Sequence, residues 1–430
     1  MMQCLDIQGG VPLRGTLKAA GNKNAVLPMI AAALLTDEPV VLENVPDIGD
    51  VGTMAELVAG LGAVVRREPE KNRLSIQAVE VNPDRLSFAL CRRIRASILL
   101  AAPILQRAGR CAIATPGGDI IGRRRLESHL VGLRQLGAQV AGEDPITFAA
   151  ERGLHGGEVF LPEASVTATE QLLIAAALAR GRTVLRNAAC EPHVCEVANM
   201  LASMGASIEG IGSNVLTVEG CERLGGGTFR VGSDHTEVGS FLALAAATGG
   251  EITITDIDPD HYRHSLVLPV FERLGVSIEL EGATISVRAE QSRRIAADPS
   301  GGLPVIDDGP WPKFPSDLMS VMLLLATQVE GTALFFEKMY ESRMYFMDRL
   351  ISMGARAVIC DPHRVVVCGP ARLHGIDIAS PDIRAGIALI GGALCAKGRS
   401  TISNVHLVDR GYQAIDQRLN ALGAKVVRRG

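Results

Sequence analysis

Apolar residues recur at helical spacing along this chain and break off at the same tripeptide six times. Segments such as MAELVAGLGA (54–63) and RLNALGA (418–424) carry apolar side chains at i, i+3 and i+4, which makes one buried helix face. Each closes on Leu/Met-Gly-Ala/Val, at 61–63, 136–138, 204–206, 274–276, 353–355 and 422–424. The glycine supplies a left-handed stop, and AVVRRE, QVAGE, SIEG, SIELEG or KVVRRG then reads as a strand. By subtraction of the glycine numbers, successive copies lie 75, 68, 70, 79 and 69 residues apart. Between copies, an Ala-rich helix runs through a polar turn into a β-branched strand, as in AAALLTDEPVVLENV (31–45) and AAALARGRTVLRNA (175–188). The unit is therefore approximately βαβαββ, written six times.

Six units of about 70 residues exceed one core and suit two domains of three units each; an open solenoid of α/β repeats is the alternative. Composition agrees with an α/β chain. Hydrophobic residues make up 47% of the 430 positions but aromatics only 3%, so the cores must be built from Ala, Val, Ile and Leu, with 46 glycines allowing close approach.

A formal charge of −4 argues against a nucleic-acid coat, since nonspecific binding draws on surplus Lys and Arg. The nine cysteines are scattered and form no C-x-x-C pair, as expected of reduced thiols in a cytosolic protein. The start MMQCLDIQGG lacks a signal-peptide pattern. The longest apolar stretches, such as ILLAAPIL (98–105), fall short of the roughly 18 residues a membrane span needs. The expectation is a cytoplasmic protein without membrane association. No H-x-x-x-H pair with a carboxylate partner, cysteine cluster, Walker loop or G-x-G-x-x-G after a strand is present, so no metal and no cofactor are expected.

The candidate chemistry lies in ATPGGDIIGRRRLESHLVGLRQLGAQ (114–139). A Pro-Gly-Gly turn delivers Asp119 just before Arg123, Arg124 and Arg125. Taken alone, the acid reads as a turn-stabilising residue and the arginines as a solvated charge run. Asp317, in FPSDLM (314–319), likewise reads alone as a helix cap.

These motifs, with GNKNAVLP (21–28), RIRASILLAAPIL (93–105), SVTATEQLLIAAALA (165–179), DIRAGIAL (382–389) and VDRGYQAIDQRLNALGA (408–424), resemble in order and over the whole chain the UDP-N-acetylglucosamine enolpyruvyl transferase family. The resemblance implies a two-domain inside-out α/β barrel of the EPSP synthase-like type, three repeats per domain. It places 1–22 with 233–430 in one domain and 23–232 in the other, with the catalytic loop near 112–125. It also implies addition of the enolpyruvyl group of phosphoenolpyruvate to the sugar 3-hydroxyl of UDP-N-acetylglucosamine, then elimination of phosphate. No obligate protein partner is implied.

By the same resemblance Lys23, Asn24, Arg124, Arg343, Arg384 and Arg410 would hold phosphoenolpyruvate, a small polyanion for which several fixed cations are needed. Asp119 would be the proton donor, in the place where most of the family carries cysteine, so insensitivity to fosfomycin is implied. Asp317 would be the base, with Lys23 and Arg410 also in the catalytic set. A free aspartic acid has a pKa of about 3.9, so a bound polyanion and exclusion of water are what would keep a proton on Asp119. The UDP-sugar would meet Arg95, Arg124, Arg125, Leu126, Glu127, Ser128, Ser165, Val166, Asp317 and Met339. Asp234, Glu237, Glu191 and His129 are expected to be structural or network residues.

The pattern departs from the family around the nucleotide. Arg-Pro-x-Asp-x-His becomes Arg124-Arg125-Leu126-Glu127-Ser128-His129, a frequent Lys becomes Glu163, Ser-Val-Gly becomes Ser165-Val166-Thr167, and Lys313 stands where glycine is common. Two alternatives stay open: an enolpyruvyl transferase for another nucleotide-linked acceptor, and a noncatalytic binding protein on the same scaffold. The Asn-Ala-Gly-Thr-Ala stretch of the shikimate-pathway enzyme is absent.

Overall fold

The computed structural model describes residues 3–119 and 121–430. The chain divides into two compact units. One contains the described residues up to Ala20, 121–123 and Ser233–Gly430; the other contains Gly21–Asp119 and Arg124–Gly232. The sequence placed the crossings at 22/23 and 232/233; the units divide between Ala20 and Gly21 and between Gly232 and Ser233.

Among the described residues each unit holds three sheets, and one repeat explains their construction. Strand Glu158–Phe160 leads into helix Val166–Ala177, strand Arg182–Arg186, helix Pro192–Ser203 and strands Ser207–Glu209 and Val215–Glu219. The first two strands pair in parallel across the helix, and the last two complete the sheet antiparallel. A parallel pair needs a crossover of this length, whereas the closing pair needs only a turn. Five sheets have this four-stranded form. The sixth, Arg110–Ile113, Ile146–Ala149 and Gln139–Ala141, has three strands among the described residues.

The βαβαββ reading is borne out at the six tripeptides. Their glycines, Gly62, Gly137, Gly205, Gly275, Gly354 and Gly423, all adopt positive φ, between 71° and 118°. There a side chain would be strained, and a strand begins within three residues of each.

The ends of the chain close one unit. Cys4–Gln8 lies between Arg399–Ser403 and Lys425–Arg429, and Arg14–Lys18 pairs in parallel with Glu251–Thr255. In the other unit Gly227–Arg230 returns to pair with Val40–Glu43.

The helices fall into two kinds. Pro192–Ser203 buries Val194, Val197, Ala198 and Leu201, the i, i+3, i+4, i+7 stripe of a surface helix. By contrast, His235–Thr248, Met319–Ala326 and Ile383–Cys395 are buried nearly all round and pack on one another inside a ring of sheets. Lys23–Ala32, Ala101–Ala108 and Val166–Ala177 take the same place in the other unit. In the first of these units the approach is closest where a side chain is missing. A Cβ on Gly391 would stand 2.2 Å from Leu324 Cδ2 and 2.3 Å from Leu244 Cδ2, so this glycine is where the three helices of its unit interlock. Gly391→Ala should lower the unfolding free energy by about 1–3 kcal/mol through overpacking, read from urea denaturation; an unchanged midpoint would contradict this packing.

Candidate active site

The residues expected to carry chemistry form one set in each unit, and helix starts position most of them. In the unit that begins at Gly21, Asn22 caps helix Lys23–Ala32 by accepting the Asn24 amide at 2.8 Å. Lys23, the first helical residue, is buried, and its ammonium meets the buried Asp50 carboxylate at 2.8 Å. Asn24 beside it is half-buried.

Arg95 opens the 3₁₀ turn Arg95–Leu100, and its Nη2 donates to the carbonyls of Arg124 at 2.7 Å and Arg125 at 2.9 Å. It therefore fixes the backbone of the basic run. The run itself is mixed in character. Arg123 and Arg125 are 78% and 64% exposed in their side chains, with carboxylates only at 3.9 Å, so these two are the solvated charges that composition suggests. Arg124 is half-buried.

The Pro-Gly-Gly turn before Asp119 lies against its own unit's backbone. A Cβ on Gly117 would meet the Arg92 carbonyl oxygen at 1.9 Å, and Gly118 has φ +108°, so neither tolerates a side chain without moving the turn. Asp119 is half-buried at its end. Leu126 occupies the N-cap position of helix Glu127–Gln135 with no side-chain cap, and Glu127 is exposed.

The nucleotide stretch expected around 126–129 is tied to the one around 165–167 through His129. This buried imidazole donates from Nδ1 to Gln171 Oε1 at 2.8 Å and accepts at Nε2 from Thr167 Oγ1 at 3.0 Å. Gln171 Nε2 in turn donates to the Ile98 carbonyl at 2.6 Å. Ser165 caps helix Val166–Ala177 from the same turn, Ser128 is buried, and Glu163 is exposed.

In the other unit Asp317 is the hub. Pro315 occupies the position before the short turn Ser316–Leu318 and Asp317 lies within it, so Asp317 is no cap. Its Oδ2 accepts from Arg384 Nε at 2.9 Å and meets Arg384 Nη2 at 2.7 Å, while Oδ1 accepts from Arg343 Nη2 at 3.0 Å. Both arginines are buried and Asp317 is 30% exposed, so the carboxylate is the accessible edge of a fixed cationic cradle. Burial opposes the charge on Arg384, but attraction to Asp317 outweighs it and raises this guanidinium above its ordinary value. Arg384 Nη1 also donates to Tyr412 Oη at 3.1 Å, which pairs with Ser240 Oγ at 2.8 Å. Arg343 lies over the Tyr340 ring, 4.9 Å from its centroid.

Arg410 ends the 3₁₀ helix Val405–Arg410 and is half-buried; Asp409 beside it is gripped by the Arg428 fork at 2.7 and 2.9 Å. Met339 is exposed. Asp234 caps helix His235–Thr248, accepting from Thr236 and Glu237 amides, and Glu237 is salt-bridged to Arg418, which makes both structural. Sequence reasoning missed Asp50, Gln171, Glu337 and Tyr412; of these only Gln171 and Tyr412 fell inside quoted motifs. Lys313, the departure from glycine, bonds Asp307.

Among the described residues no group of three or more His, Cys, Asp or Glu could hold a metal ion, and no helix is long and apolar enough to cross a membrane.

The family described as EPSP synthase (3-phosphoshikimate 1-carboxyvinyltransferase) matches residues 7–419. A UDP-N-acetylglucosamine 1-carboxyvinyltransferase of Treponema denticola is 49% identical over 420 residues, 98% of each chain. One of Borreliella burgdorferi is 50% identical over 98% of this chain and 97% of its own. Among solved structures, the enolpyruvyl transferase NikO from Streptomyces tendae superposes with a TM-score of 0.85 at 23% identity over 99% of each chain. The EPSP synthase of Acinetobacter baumannii follows at 0.75 and 17% over the whole of both chains. These two likenesses establish the inside-out α/β fold.

Burial holds the His129 imidazole down at a pKa of about 4, against an ordinary value of 6.5. The unfolded chain takes up this proton first, so the stability is fully present above pH 6.5 and is lost as pH falls toward 4, up to about 3 kcal/mol. His235, lowered to about 3 by burial and then by His261, acts in the same direction. Urea midpoints should therefore fall between pH 7 and pH 5, and less steeply in His129→Gln; an equally steep fall in that variant would contradict the assignment.

Proposed function

The chain belongs to the EPSP synthase family of carboxyvinyltransferases, and on that premise we propose that it moves the enolpyruvyl group of phosphoenolpyruvate to the 3-hydroxyl of UDP-N-acetylglucosamine, releasing phosphate, in the cytoplasm. This is the first committed step of peptidoglycan precursor synthesis. The observation that carries the reading is near-half identity, over 98% of the chain, to relatives bearing that activity in their names. The rigid Asp317 cradle supports it from the side of the geometry.

In this reading Asp317 accepts the hydroxyl proton as the sugar oxygen bonds to C2 of phosphoenolpyruvate. Asp119 gives a proton to the methylene carbon, and the π electrons of the double bond form the new C–H bond. Asp119, left as the carboxylate, then takes a proton back from the new methyl group; the C–H electron pair restores the double bond in the transferred group as phosphate leaves with the electron pair of its C–O bond. Lys23, Asn24, Arg124 and Arg410 serve the phosphate, and Arg343 and Arg384 the carboxylate. Both cradle arginines are held by Asp317 before substrate arrives. Anion binding thus competes with the base for them, and drawing them off frees the carboxylate to take a proton.

Phosphate release should require both substrates and should collapse by at least about a hundredfold in Asp119→Ala and in Lys23→Ala; retained turnover in either removes that residue from the catalytic set. The uncapped Leu126 and exposed Glu163 favour a second reading, in which the acceptor is a different nucleotide sugar. A panel of UDP-sugars decides between them, since turnover with another sugar and none with UDP-N-acetylglucosamine selects the second.

A carboxylate is a weaker nucleophile toward an epoxide than a thiolate. Fosfomycin should therefore leave the enzyme active, and time-dependent labelling of Asp119 would contradict this.

A further inference from the structure

Behind the Asp317 cradle lie two fully buried carboxyl groups that the mechanism above does not use, Glu337 and Asp308. Glu337 follows strand Gly331–Phe336 and turns its side chain back into the site. Its Oε1 accepts from the Met339 and Tyr340 amides, both at 3.1 Å, and Ser316 Oγ lies 2.8 Å from each of its oxygens. It thereby holds the turn that carries Asp317, the backbone at Met339 and the ring beneath Arg343.

The charge state of the pair can be read from what is missing. Arg343 Nε stands 3.7 Å from Glu337 Oε2, too far for a hydrogen bond, and Nε and Nη1 have no acceptor among the described residues. An ionised Oε2 would draw that buried N–H to within about 3 Å. Asp308 Oδ1 accepts from the Lys338 amide at 2.6 Å, yet Oδ2, also buried, has no N–H or hydroxyl donor among the described residues. Glu337 and Asp308 act directly on each other, and two carboxyls can share a hydrogen bond only if one carries a proton.

We propose that Glu337 is a positioning residue that keeps Arg343 on Asp317 by carrying a proton on Oε2 and donating it to Asp308. Burial first, then the bond to Asp308, pushes Glu337 up to about 9 against the opposing pull of Arg343 and Ser316. The remaining charged and titratable neighbours leave this balance intact: Lys338 turns its ammonium to Asp307, and His363 meets Glu337 through the main-chain carbonyl. With the Glu337 carboxyl uncharged, Asp317 keeps both guanidiniums until the substrate carboxylate competes for them.

This inference rests on the reading of Asp317 as the base. Its test separates the two with a measurement that needs no turnover. The infrared difference spectrum of wild type minus Glu337→Gln at neutral pH should contain the C=O stretch of a protonated carboxylic acid. In phosphate-release kinetics Glu337→Gln, whose amide reproduces the donor toward Asp308, should keep kcat/KM for phosphoenolpyruvate within about threefold. Asp308→Asn puts a donor where an acceptor stood, leaves Glu337 ionised and pulls Arg343 away. It should raise KM about tenfold with kcat less affected, and Glu337→Gln added to it should restore most of that loss. A spectrum with no such band overturns the proposal even if the enzyme proves inactive on these substrates. With turnover established, an unaffected Asp308→Asn or a Glu337→Gln loss as deep as that of Asp308→Asn overturns it equally.

Discussion

Three inner helices buried on nearly every side, interlocked at Gly391 in one unit, are the constraint from which the rest of each unit follows. Met319–Ala326 offers no exposed face, and its one polar side chain, Ser320, stands in the first turn. Chemistry is thereby driven to the helix starts. Lys23, Arg95 and the Ser165–Val166 pair begin the three inner segments of one unit; Asp234, Asp317 and Arg384 begin those of the other. The repeat that solves the packing problem also delivers three helix starts per unit, whose dipole favours negative charge. An anionic substrate suits that arrangement, and further cations are added where a single helix end would be too weak.

The same constraint explains why the cradle is rigid. Arg384 sits in the first turn of the helix that carries Gly391, which cannot move there without disturbing Leu244 and Leu324. Its guanidinium is fixed twice over, by Asp317 and by the Tyr412–Ser240 pair, and Ser320 reaches its carbonyl at 2.7 Å. Arg343 comes from an outer segment, and stacking on Tyr340 together with the Glu337 turn replaces the inner helix as its support. Preorganisation of this kind keeps the cost of arranging the charges out of the chemical step.

Much of this was legible in the sequence because it is local. The glycine of each Leu-Gly-Ala stop must take positive φ, and six such stops fixed the count of repeats before any fold was known. The closure of the sheets was not legible. That Cys4–Gln8 lies between two C-terminal strands, or that Gly227–Arg230 returns to Val40–Glu43, depends on pairings about 400 and about 190 residues apart. A strand's own pattern encodes the face it buries but not its partner. At the site, Asp317 was ambiguous because a Pro-Ser-Asp start reads equally as a cap; only the position of two distant arginines decides it.

The acids Asp308 and Glu337 were missed for a deeper reason. In sequence, VIDDGP and FFEKMY look like strand ends leading into polar turns, where acids are normally solvated. Burial becomes tolerable only because each acid supplies what the other lacks, one a proton and the other a lone pair, with backbone amides filling the remaining acceptors. Neither residue is interpretable alone, and neither would be stable there alone. An exposed pair such as Arg110 and Asp84 can be lost with little effect, but the buried pair couples the turn that carries Asp317, the backbone at Met339 and Tyr340 and a guanidinium through a single proton. Such coupling follows from the packing of the inner helices: when polar groups are confined to the ends of apolar helices, the supports behind them must be buried as well, and buried supports must satisfy one another.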